Sequence, residues 1–184
     1  LLVRLLLDND ANIAVKDKLG RSALHYSAGL KGNRKISQAL IHKGADIHAV
    51  DIHDNTALHL AANNRNTHTA ELLLQNGCDI TTCNKRKESV IHKAITAKCE
   101  CTHGCRKCVW KYHTVALLVE KGCDVKKTDI DGNSALHLMA EWITDPTTVR
   151  LLLRNGADVR ARNNQGSTPL HLICAVKCER SRAK

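Results

Sequence analysis

The chain has 184 residues, of which 43% are hydrophobic and 25% charged, the balance of a folded protein with a water-exposed surface. Two Tyr, two Trp and no Phe argue against one thick core built on aromatic bulk and for thin layers of Leu, Ile and Ala. A net charge of +10 points to an acidic partner: an acidic protein face, an anionic membrane surface or nucleic acid.

The opening run, Leu1 to Leu7 broken by Arg4, is far short of the ~20 apolar residues that cross a bilayer. No small-residue cleavage site follows it, so it does not read as a signal peptide. It reads as the second helix of a structural unit entered midway, residues 1–16, and the chain is expected to be part of something longer. From there one pattern returns down the chain. Ala23-Leu24-His25 recurs as Ala57-Leu58-His59, Val90-Ile91-His92, Ala135-Leu136-His137 and Pro169-Leu170-His171, with His-to-His spacings of 34, 33, 45 and 34. A second motif keeps the same beat: Gly44-Ala45-Asp46-Ile47, Gly77-Cys78-Asp79-Ile80, Gly122-Cys123-Asp124-Val125 and Gly156-Ala157-Asp158-Val159.

Each unit predicts two short helices. A Ser or Thr ahead of each His stands where a helix begins and can cap free N–H groups. Pro169 suits a first helical position, where its missing N–H costs nothing. Runs such as Leu72-Leu73-Leu74 and Leu151-Leu152-Leu153 mark the second helix. The Gly that follows ends it in a left-handed conformation. The parse is 1–16 (partial), 17–50, 51–83, 84–128, 129–162 and a truncated 163–184. No such unit buries its apolar face alone, so the array holds only by stacking. Neither Leu2, Val3, Leu5, Leu6 and Leu7 nor Leu172, Ile173 and Val176 looks like a polar end cap.

This pattern resembles the ankyrin repeat, with its 33-residue period and Thr-Pro-Leu-His motif. Thr168-Pro169-Leu170-His171 matches that motif in full, and Thr56-Ala57-Leu58-His59 lacks only the Pro. The resemblance covers nearly the whole chain. It implies an all-α solenoid of stacked helix–turn–helix units joined by β-hairpin loops, in which each His and its hydroxyl neighbour tie one repeat to the next. Gly20 and Gly132 hold the hairpin glycine position, whereas Asp54 and Lys87 replace it.

The repeat 84–128 carries an insert at about 98–112, between its two helices. Cys99, Cys101, Cys105 and Cys108 fall there in a C-x-C-x3-C-x2-C run, with His103 among them. Four thiolates this close can wrap a tetrahedral zinc, which would give order to a loop lacking its own core. Two local disulfides and a loop of free thiols stay open as alternatives. Lys177-Cys178-Glu179 follows His171 at the offset by which Lys98-Cys99-Glu100 follows His92, as if a second insert began there. Nine Cys, an odd number, exclude full pairing within the chain. The five outside the insert look like small buried positions. Reduced thiols, and hence an intracellular setting in cytoplasm or nucleus, are expected.

The resemblance implies a protein-interaction scaffold without catalysis, binding on a concave face and hairpin tips. Tip candidates are Lys18, Leu19, Arg21, Ile52, His53, Asn55, Lys85, Arg86, Glu88, Ile130, Asp131 and Asn133. Inner-helix candidates are Tyr26, Leu30, Asn63, Asn64, Lys93, Glu141 and Trp142. Tyr26 and Trp142 are the expected anchors, because aromatics dominate binding hot spots. No cofactor is required beyond the possible structural zinc. The alternative is a basic nucleic-acid-binding segment with a zinc-stabilised loop bearing Arg106, Lys107 and Lys111. Against it stands the lack of an aromatic stacking platform. Paired carboxylates, a nucleophile–base pair and a Gly-rich phosphate loop are all missing from the sequence, which speaks against an enzyme.

Overall fold

The computed structural model describes residues 2–97, 109–142 and 146–182, with side chains left out at 109–111, 141–142 and 176–182. Among the described residues there are ten helices: α1 (Leu2–Asp8), α2 (Ala23–Gly29), α3 (Arg34–His42), α4 (Ala57–Asn63), α5 (Thr67–Gln75), α6 (Val90–Thr96), α7 (Val109–Glu120), α8 (Ala135–Trp142), α9 (Pro146–Arg154) and α10 (Pro169–Arg182). Four helix–turn–helix pairs, α2–α3, α4–α5, α6–α7 and α8–α9, stack so that α2, α4, α6, α8 and α10 form one row. The second helices α3, α5, α7 and α9 form the other.

The first helices α2, α4, α6 and α8 are short and begin at a hydroxyl–His cap. At α4 the Thr56 hydroxyl accepts from the His59 backbone N–H at 3.4 Å, and His59 Nδ1 accepts from the Thr56 backbone N–H at 3.3 Å. The imidazole thus takes the part that Glu or Gln plays in a capping box. The buried face of α4 is Ala57, Leu58, Ala61 and Ala62, all at 1% exposure or less. Small residues let neighbouring helices approach, and the few large ones fill the gaps. Leu58, Leu73, Ile91, Ile95, Leu118 and Leu152 are fully buried, each contributing about 1.5–3 kcal/mol by leaving water.

Second helices end at glycine. At α5, Gly77 has φ +85° and the Cys78 N–H reaches back to the Leu73 carbonyl at 3.0 Å, the bond that closes a Schellman end. The loops between repeats are hairpins, as expected, and three of them close on single antiparallel bridges, Val50 with Thr56, Cys83 with Ser89 and Thr128 with Ser134, with no longer strand among the described residues.

Both ends of the stack show apolar surface. Leu2, Leu5 and Leu6 at α1 and Leu170 at α10 are more than half exposed. Helix α10 runs through Lys177-Cys178-Glu179, and its counterpart Lys98-Cys99-Glu100 lies outside the described residues. Cys99, Cys101, Cys105 and Cys108 lie outside the described residues. Of the other cysteines, Cys78 and Cys123 are buried as expected, but Cys83 and Cys174 are exposed.

Candidate functional site

Five loops project from the row of first helices, and each is built on one acid or amide. Asp17, Asp51, Asn84, Asp129 and Asn163 stand eight residues ahead of the five motif histidines. Asp51 Oδ1 accepts from the backbone N–H of His53 at 2.8 Å and of Asn55 at 2.9 Å. The other four repeat this pair of bonds, Asp17 with Leu19 and Arg21, Asn84 with Arg86 and Glu88, Asp129 with Asp131 and Asn133, and Asn163 with Gln165 and Ser167. A short side chain that accepts from its own loop's amides is the known way to hold such a turn. The sequence reading missed these five residues, although their fixed offset from the histidines was there to be found.

Each tip also bonds to the next. The backbone N–H of Ile52 donates to Leu19 O at 3.0 Å, Lys85 to His53 O at 3.0 Å, Ile130 to Arg86 O at 2.8 Å and Asn164 to Asp131 O at 3.0 Å. Close approach constrains the tips. A Cβ on Gly132, which has φ +75°, would lie 2.5 Å from Asn164 Oδ1 and 2.8 Å from its backbone N. Asp54 and Lys87 hold the same left-handed geometry without being glycine, at φ 61° and 56°.

Beneath the tips, the histidines join the repeats. His25 Nε2 donates to Asn55 O at 3.2 Å, His59 to Glu88 O at 3.3 Å, His92 to Asn133 O at 3.2 Å and His137 to Ser167 O at 2.9 Å. A carbonyl can only accept, so Nε2 carries the proton and Nδ1 is left to accept from the local Ser or Thr. Ser89 Oγ lies 2.7 Å from His92 Nδ1 in this way. Burial holds the His25 and His92 rings below the ordinary imidazole range and brings His59 to about 4. These rings are neutral joints and have no open face for chemistry.

A polar chain links three loops along their bases. Arg21 Nε lies 3.6 Å from Asp51 Oδ2, and Asn55 Nδ2 donates to both Asp51 oxygens at 3.2 Å. Asn84 Nδ2 donates to Asn55 Oδ1 at 3.0 Å and to Glu88 Oε2 at 2.8 Å, and Lys93 Nζ pairs with that oxygen at 2.6 Å. Burial pushes the Asp51 carboxyl up, but the Asn55 and His53 hydrogen bonds and the Arg21 charge outweigh it and hold it below the usual carboxylate range. Glu88 is held low by Asn84 and Lys93 against the same pull.

The candidate residues therefore divide. Lys18, Leu19, His53, Lys85, Arg86 and Asp131 are exposed at the tips, as are Tyr26 and Asn63 on the inner helices. Leu30, Ile52 and Ile130 are exposed apolar residues beside them, at 58%, 44% and 49%. Arg21, Asn64, Glu88, Lys93 and Asn133 are half-buried, and Asn55 is buried within the polar chain. Tyr26 donates its hydroxyl to Asp17 Oδ2 at 2.5 Å, which fixes the ring at the mouth of the first loop. Arg86 faces Asp131 at 3.8 Å in solvent. Glu141 and Trp142 lie at the end of α8, and their side chains are outside the described set. No motif in the sequence pointed to Arg65. It is buried with φ 56°, and its guanidinium donates to Ala97 O at 2.5 Å, at the end of α6. Among the described residues no cluster of His, Cys, Asp or Glu is disposed to hold a metal. No helix among them is long and apolar enough to cross a membrane.

Comparison with known proteins gives the same reading of the repeats. The Ankyrin repeat model matches residues 19–52 and 53–85, and a model of three ankyrin copies matches residues 106–181. Residues 86–105, which include Cys99, Cys101 and Cys105, fall between these matches. The chain is 36% identical over 86 residues to an ankyrin repeat protein of Acanthamoeba polyphaga mimivirus, covering 47% of this chain and 12% of that protein. It is 30% identical over 95 residues to an ankyrin repeat protein of Fowlpox virus (strain NVSL), covering 52% of this chain and 14% of that one. The chain thus spans about an eighth of the length of these relatives. Ankyrin repeats are in general protein–protein interaction modules without catalysis. With the His joints, the glycine-ended second helices and the laterally bonded loops in register with these matches, the chain belongs to the ankyrin-repeat family.

Proposed function

We propose that the chain is a binding scaffold whose partner, a protein with an acidic surface, docks on the hairpin tips and the inner helices. The observation that carries this reading is the contrast between a fixed loop frame and the apolar side chains exposed on and beside it. The backbone of every loop is hydrogen-bonded to itself and to its neighbour, while Leu19, Tyr26, Ile52 and Ile130 stand 41–49% exposed on that frame. Apolar side chains presented on a rigid support lose little entropy on binding. The cations Lys18, Lys85, Arg86 and Lys87 surround them, which favours an acidic partner and speeds its encounter.

A selection from a random peptide library tests this. Clones are retested on Ile52→Asp, Arg86→Glu and Ile130→Asp, and on Lys121→Glu, which follows α7 in the row of second helices. Binders are expected to be lost on the tip variants and kept on Lys121→Glu. Binders indifferent to the tips, or salt-sensitive binding to generic duplex DNA that is tighter than any peptide, would defeat the reading.

The tetrathiolate zinc site at Cys99, Cys101, Cys105 and Cys108 belongs to the same proposal as a structural support for the insert. Native mass spectrometry of the reduced chain is expected to show one bound zinc that Cys99→Ser or Cys108→Ser abolishes. Four free, alkylatable thiols in the presence of zinc would remove it. The free thiols of Cys78, Cys83, Cys123 and Cys174 support placing the chain in a reducing, intracellular compartment.

A further inference from the structure

The second residue of the first four of the five loops reads Lys18, Ile52, Lys85, Ile130, a cation, an apolar residue, a cation, an apolar residue, before the uncharged Asn164 of the fifth. These positions are structurally equivalent, as the repeated Asx bonds and the tip-to-tip bonds show. Equivalent positions in a stacked array share the step of the helix row, about 8–10 Å for packed helices. An extended β-strand covers that step in three residues, but its side chains alternate faces, so every third one points away. A polyproline-II segment has three residues per turn and rises about 9 Å over them, so every third side chain returns to the same face. Only the second geometry keeps pace with the loops.

From this we infer that the tips read an extended, polyproline-II-like peptide with carboxylates and apolar side chains alternating at three-residue intervals: acid, two residues, apolar, two residues, acid, two residues, apolar. The inference rests on the proposed docking face and specifies its ligand. The carboxylates meet Lys18 and Lys85, and the apolar side chains meet Ile52 and Ile130. Lys85 already donates to Ile52 O at 2.7 Å, which holds its ammonium in place, and an ammonium has further donors to offer a carboxylate. Ile52 and Ile130 are exposed enough, at 44% and 49%, to take an apolar side chain without any rearrangement of the loops.

The test uses two synthetic ten-residue peptides of one composition. The first has Glu at its first and seventh positions, Leu at its fourth and tenth, and Pro elsewhere. The second moves each Leu one place toward the preceding Glu, so that the spacing is broken. Binding to the full 184-residue chain is measured by fluorescence anisotropy. The first peptide is expected to bind at least tenfold more tightly than the second. Ile130→Asp and Lys85→Glu are each expected to weaken it at least tenfold, with Ile130→Ala as a milder variant should the first disturb folding. Equal binding of the two peptides, or binding of neither, overturns the inference. If the random-library binders of the preceding section are nevertheless lost on the tip variants, the docking face stands and only the three-residue rule falls. If they are indifferent to the tips, both fall.

Discussion

His59 has no exposed surface, donates from Nε2 to Glu88 O and accepts at Nδ1 from Thr56. Burial disfavours a charged ring, so the folded protein resists a second proton on Nδ1. The folded ring titrates at about 4, against about 6.5 in an unfolded chain. Between those values the unfolded state binds the proton and the folded state does not. Stability from this joint is therefore complete above pH 6.5 and lost as pH falls toward 4, a span of about 3 kcal/mol. His25 and His92 are depressed in the same direction by burial and add to the effect. Urea midpoints are expected to drop steeply from pH 7.5 to pH 5. His59→Leu is expected to be about 2 kcal/mol less stable at pH 7.5, through two lost hydrogen-bond partners, but with a shallower pH slope. Parallel slopes for the two proteins would refute the account. The hydroxyl–His joints were legible in the sequence because both partners lie three residues apart. Arg65 was not, since its acceptor is a backbone carbonyl 32 residues on. Asn55 read as a tip contact and is buried instead, because residue type alone does not say which way a loop position faces.

The loops carry the element-scale argument. One left-handed position recurs in all five, held by Gly20, Asp54, Lys87, Gly132 and Gly166. Sequence spacing identified the first four of these, because the beat is regular. It did not give the cost, which depends on what lies across the gap. Lys87 occupies the left-handed region with a full side chain, at a strain of roughly 1–2 kcal/mol. Lys87→Gly relieves that strain and increases the freedom of the unfolded chain, so a net gain of about 0.5–1 kcal/mol is expected in thermal or urea denaturation. Gly132→Ala runs the other way. It adds the same strain and sets its Cβ against the backbone of Asn164, which cannot swing aside. A loss of at least about 2 kcal/mol is expected. Similar small effects at both positions would mean that the loops relax independently of each other, contrary to the bonds that join them. The hairpin loops were legible too, and three of the five close on a single antiparallel bridge before the chain turns to the adjacent tip.

Among the described residues the main contacts join helices of the same or adjacent repeats, so stability is a sum of units and interfaces. Burial grades along the stack accordingly. Helices α4 and α6 have four or more fully enclosed side chains each, whereas α1 has none. Leu2, Leu5, Leu6 and Leu170 leave exposed apolar surface at both ends of the stack. Amide hydrogen exchange of the 184-residue chain should therefore be slowest in α4 and α6 and faster toward α1 and α10. Ile91→Ala sharpens the test. Ile91 is fully buried in the first turn of α6, and truncation there is expected to cost about 2–5 kcal/mol. In a nearest-neighbour array that loss weakens the coupling between the halves, so protection should fall most in α6 and the helices packed on it, and least in α2 and α3. A uniform fall over all helices would show one cooperative unit instead. The loops would then owe their rigidity to the whole molecule, and a tip-docking partner would raise protection everywhere on binding, not just in the repeats it touches.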